Sequence, residues 1–117
     1  MNQNNPIIHL NLHGRWFDMI AKGEKREEYR EVKNHWMNIF AGSSMGISKP
    51  LIKIKGKYYD PKAVTIRFSN GYRKDRRQMD VSMNGVRIDS GGNPEWGANP
   101  ETIYIVIELG EVTNKNY

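Results

Sequence analysis

Lys25, Glu28 and Arg30 fall within "KGEKREEYR", residues 22–30, where cations and carboxylates crowd around one tyrosine. Eight side chains between Ala21 and Val32 are charged. On an extended segment, Arg26, Glu28 and Arg30 share one face, and Lys25, Glu27, Tyr29 and Glu31 the other. A carboxylate between two guanidiniums stays ionised and can aim either of them at an anion or a base edge. Lys25, just past Gly23, then stands at the mouth of the pocket that such a segment would rim. The same pattern also fits a solvated edge strand, with ion pairs each contributing well under about 1 kcal/mol. Spacing alone leaves both readings open.

A second cluster is "RFSNGYRKDRR", residues 67–77. Arg67, Arg73, Lys74, Arg76 and Arg77 surround a turn at Asn70-Gly71 that carries Tyr72. Guanidinium forks suit phosphate oxygens, and an exposed tyrosine offers a face on which a base can stack. The alternative is a hairpin tip whose arginines only keep an edge soluble. Trp96 lies in the turn-rich "GGNPEWGANPE", either as a lid on the core or as a platform for a ligand. His9 and His13 are four apart, but not on a helix, and no third ligand stands near them, so no metal site is expected. No nucleophile elbow, P-loop or dinucleotide fingerprint is present.

The elements that must position these residues follow from periodicity. "PIIHLNL" alternates, with Ile8, Leu10 and Leu12 on one face, and predicts a strand. In "RWFDMIAKG", Trp16, Phe17 and Ile20 have helical spacing, and Gly23 is placed to stop the helix. Val32, Trp36, Ile39 and Phe40 predict a second helix ending at Gly42, so "EKREEYRE" between the two is expected to be extended. "GSSMGISKP" is the most linker-like segment and is expected to form a loop. The remainder reads as β. "LIKIKGKYY" and "AVTIRFSNG" each alternate, and "MDVSMNGVRI" contains a second Asn-Gly turn signal. "TIYIVIELG" is apolar on both faces, as in a covered central strand, and the tail "EVTNKNY" is expected to fray. Five to seven strands with two helices near the N-terminus predict an α+β fold, a small, partly closed β-barrel with its helices at one end. Ile8, Leu10, Leu12, Val64, Ile66, Phe68, Ile103, Ile105 and Ile107 are its expected core.

A chain of 117 residues allows one domain with one modest core, and leaves no room for separate catalytic and binding domains. No secretory signal and no membrane-spanning run stand out. The absence of cysteine rules out disulfides and thiolate chemistry and is compatible with a reducing cytoplasm, the expected location. The formal net charge of +5 favours encounter with polyanions.

With these residues in view, "LNLHGRWFDMIAKGEKREEYR" resembles the opening of ASCH domains, members of the PUA-like superfamily. Their G-x-K-x-x-E-x-R pattern is matched by Gly23, Lys25, Glu28 and Arg30. "RFSNGY" and "EWG…YIVIELGEV" resemble the later half of small ASCH proteins of bacteria and their phages. The resemblance implies a β-barrel with flanking helices and a cleft for RNA or a nucleoside-like ligand, lined by the G-x-K-x-x-E-x-R segment. The ligand contacts it implies, joined to those read from the residues, are Lys25, Glu28, Arg30, Asn70, Tyr72, Arg73 and Trp96, with no cofactor. Some small ASCH proteins deacetylate N4-acetylcytidine with a lysine, a threonine and a glutamate. The lysine maps to Lys25, but Glu28 stands where the threonine would be. The expectation is therefore binding rather than turnover, with hydrolysis through Lys25 and Glu28 as one alternative and a protein-interaction module as another.

Overall fold

A computed structural model describes residues 5–40 and 50–117. Among the described residues the fold is α+β, with two α-helices and a mixed five-stranded sheet that curls into a half-barrel. The sheet comprises β1 (Ile7–Leu12), β2 (Glu27–Glu31), β5 (Thr65–Asn70), β6 (Gln78–Asp89) and β7 (Tyr104–Lys115), in the order β1-β5-β6-β7-β2. Only β1 and β5 pair in parallel. β3 (Ile52–Ile54) and β4 (Lys57–Tyr59) form a separate hairpin. β1 and β2 are thus the two edges of the sheet, and the residues of "EEYRE" form one of them.

Alternation builds the core as expected. Ile8, Leu10 and Leu12 of β1 join Val64, Ile66 and Phe68, then Ile105, Ile107 and Leu109 of β7. The helices α1 (Gly14–Ala21) and α2 (Asn34–Phe40) add Phe17, Ile20 and Phe40. α1 ends where Gly23 takes φ +78° and the amides of Glu24 and Lys25 both donate to the Met19 carbonyl. That left-handed cap turns the chain sharply out of the helix into β2.

Several expectations need correction. Ile103 is 58% exposed because β7 begins at Tyr104, where the ladders to both neighbours end. Val32 is 46% exposed, in the turn between β2 and α2. Asn84-Gly85 makes no turn, since β6 runs through it, its register shifts falling between Asp80 and Gly85. A Cβ at Gly85 would come within 2.5 Å of the Glu108 carboxylate, so a side chain there would have to displace that carboxylate. "LIKIKGKYY" is a hairpin rather than one strand, turning at Lys55 and Gly56 with φ of 51° and 80°. The tail does not fray: β7 pairs with β6 as far as Lys115, and Tyr117 packs on Phe17. The Gly42 helix stop and nearly all of the linker-like 42–50 segment lie outside the described residues.

Candidate functional site

The side chains of β2 sit on opposite faces for reasons set by its pairing. Glu28 lies opposite Ile107 and Arg30 opposite Ile105, so both carry charge onto the core-facing side of the sheet. Inward charges also discourage an edge strand from pairing with another chain. Here they are matched to one another. Arg30 Nη2 donates to Glu28 Oε2 at 2.8 Å, and Lys25 Nζ lies 3.3 Å from Glu28 Oε1. The same Arg30 nitrogen donates to the Asn11 carbonyl at 3.1 Å, and the guanidinium stacks over Trp36 at 4.9 Å. Its Nε is buried with no hydrogen-bond partner among the described residues.

Lys25 is not at a mouth. It is only 2% exposed, and its ammonium donates to the Trp96 carbonyl at 2.6 Å. The rings of Trp16 and Tyr29 flank it at 5.2 and 5.0 Å. The loop that supplies Trp96 is held against those same rings. A Cβ at Gly92 would lie 3.0 Å from the Tyr29 ring, and one at Gly97 equally close to Trp16. The Tyr29 hydroxyl donates to Glu27 at 2.7 Å and accepts from the Asn93 amide at 3.0 Å.

Burial lowers the Lys25 pKa below its ordinary value, although Glu28 pulls the other way. Desolvation likewise pushes the Tyr29 hydroxyl up to about 12, with Glu27 adding to the rise. Perturbed groups gathered at one place mark a candidate site. Chemically, the network offers an amine beside a carboxylate and a guanidinium whose donors are incompletely used.

The second cluster divides. Arg67 is locked to Asp80 by two bonds of 2.7 and 3.0 Å, which raises its pKa. Arg77 pairs with Asp18 at 2.9 Å and stacks on Phe17. Both serve the fold. Tyr72 is 86% exposed, the Arg73 side chain pairs with Asp75, the Arg76 guanidinium donates to the Arg73 carbonyl at 2.9 Å, and Lys74 has no ion pair among the described residues. A cleft of about 290 Å³ lies between Asn11, Leu12 and His13 on one side and Gly71 and Tyr72 on the other. Asn70 stands near the start of α1, with its amide about 3.6 Å from where a Gly14 Cβ would be.

Of the seven expected contacts, Lys25, Glu28, Arg30 and Trp96 therefore converge, whereas Tyr72 lines a separate cleft to which none of the four contributes. Trp96 contributes its carbonyl; its side chain is partly exposed and lies outside the core cluster. Asn11 was missed. It links the two groups, since its carbonyl accepts from Arg30 while the residue lines the cleft. No sequence signal marks a backbone carbonyl, though the outward phase of Asn11 in β1 was legible. Among the described residues, no group of three or more His, Asp or Glu is arranged to hold a metal ion, and no helix is long and apolar enough to cross a membrane. The chain matches no family model, no curated protein and no solved structure.

Proposed function

We propose that the chain is an ASCH-type module of the PUA-like class that binds single-stranded RNA or a nucleoside-like ligand at the seam between the two sheet edges. One observation carries the reading: the buried Lys25–Glu28 pair continues through the half-buried Arg30, which reaches across that seam to the carbonyl of Asn11, a residue that lines the cleft with Tyr72. Buried charge is expensive to keep unless it has a task, and hydrophobic replacement of such groups is often neutral or stabilising. Lys25 holds the Trp96 loop in place rather than touching ligand. Glu28 fixes Arg30, and Arg30 sets the position of Asn11. Tyr72 supplies the stacking face, and Arg73, Lys74 and Arg76 supply phosphate contacts around it.

A hydrolase is the second reading, favoured by the lowered pKa of Lys25 beside Glu28. Against it stand the 2% exposure of Lys25 and the carbonyl that already occupies its ammonium. The two readings separate on whether RNA is retained unchanged in a salt-dependent manner or is altered. Titration of wild type and Tyr72→Ala with a short oligouridylate, followed by recovery of the RNA, makes that test.

A further inference from the structure

The outer face of β1 carries more than the cleft. His9 and Asn11 are exposed on it, alternating with buried Ile8, Leu10 and Leu12. Three adjoining depressions follow this face. The first is the Tyr72 cleft. The second, of about 150 Å³, shares Asn11 and Tyr72 with it and adds His9 and Arg76. The third, of about 620 Å³, shares His9 and continues between β1 and the β3–β4 hairpin. Together they run from Asn5 to His13, roughly 25 Å at about 3.3 Å per residue. That is the scale of the shortest single-strand sites, about four nucleotides.

The hairpin side of the third depression is basic over an apolar floor. Ile54 pairs opposite Lys57, and Ile52 opposite Tyr59, so Lys57 shares a face with Ile54 and Tyr59. Lys55 reaches the same space from the turn. Neither lysine has an ion pair among the described residues, and no carboxylate is among the described residues of the wall. Lys55 also stands at φ 51°, a left-handed position that turns of this type usually give to Asn, Asp or Gly. A long cation kept at a strained turn position beside an apolar groove is an outlier that points to use.

We infer that this groove is a second binding segment for single-stranded RNA, in which Lys55 and Lys57 contact phosphates and Tyr59 offers a surface to a base beyond the one held at Tyr72. The inference rests on the RNA reading above and narrows it, from a lone nucleoside to a strand lying along β1. Both lysines are exposed, so the K55A/K57A double variant is expected to fold normally.

The test is a salt titration of octauridylate and of the dinucleotide UpU with wild type, K55A/K57A and Tyr72→Ala. The expected result is that K55A/K57A lowers the magnitude of the octauridylate slope by about 1.4, from about 0.7 per phosphate contact, and leaves UpU binding unchanged. If octauridylate binding is unchanged in K55A/K57A but weakened by Tyr72→Ala, the second segment is refuted and the cleft stands. Equal weakening of UpU and octauridylate by K55A/K57A reduces the lysines to a general field and overturns the inference. Displacement of octauridylate by polyglutamate as effective as by unlabelled RNA overturns it as well. If wild type binds neither RNA, both readings fall together.

Discussion

The guanidinium of Arg30, on β2, donates to the backbone carbonyl of Asn11, on β1, at 3.1 Å. These two strands are opposite edges of one sheet, separated by three others in its hydrogen-bonded order. A single side chain therefore bridges the open seam of the half-barrel. Glu28 holds that side chain at 2.8 Å and in turn meets Lys25 at 3.3 Å. The bridge is only as good as its carboxylate.

Glu28→Ala should accordingly be the most damaging change in the network. It leaves the buried Lys25 and the half-buried Arg30 without a counter-charge, each with only a carbonyl partner, and the expected loss of stability is about 3 kcal/mol. Lys25→Met should cost less, about 1–3 kcal/mol, because Glu28 keeps Arg30 and the chief loss is a partner for the Trp96 carbonyl. Urea denaturation of both variants checks the order. A Glu28→Ala protein as stable as wild type would make the network incidental.

The lowered pKa of Lys25 has a definite sign in stability. Between its folded value and the ordinary 10.5, the unfolded chain holds the proton and the folded chain does not. Its contribution to stability therefore rises with pH across that window, and the cost of burying the ammonium is present in full below it. The stability of wild type relative to Lys25→Met should climb as pH approaches about 10.5. A difference that stays flat, or falls, would mean that Glu28 outweighs burial.

Much of this arrangement was legible beforehand, and the failures share a cause. Period-two alternation located Ile8, Leu10, Leu12, Val64, Ile66 and Phe68 correctly because each has a packed face to answer to. Gly23 marked the end of α1 because only a left-handed residue caps it so tightly. The triad was legible as a group, but its depth was not. Strand phase set Lys25 on the face opposite Glu28, but Lys25 precedes β2 and meets Glu28 at 3.3 Å, and the Trp96 loop that buries it is 71 positions away in sequence. Ile103 and Asn84-Gly85 misled for the same kind of reason. Ladder ends and bulges are decided by neighbouring strands, not by local composition.

Deacetylation of N4-acetylcytidine is expected to be negligible. Glu28 stands where the resemblance calls for a threonine, and the Lys25 ammonium is enclosed by Trp16, Tyr29 and Trp96. Incubation of purified protein with the nucleoside, followed by chromatographic separation of cytidine, checks this. Turnover that disappears in Lys25→Ala would promote the hydrolase reading over the binding one.

The most direct test of RNA binding at the seam is a titration of short single-stranded RNA at several salt concentrations with wild type, Arg73→Ala and Tyr72→Ala. Contacts from Arg73, Lys74 and Arg76 predict a slope of log K against log salt of about −2 or steeper, at about −0.7 per phosphate. Binding should then weaken about twentyfold or more between about 50 and 200 mM salt. Arg73→Ala should lower the magnitude of the slope by about 0.7. Tyr72→Ala should cost about 1–3 kcal/mol and leave the slope unchanged. Binding that ignores salt and both substitutions, or no binding to any single-stranded RNA, would contradict the account and leave the basic loop as a feature of solubility.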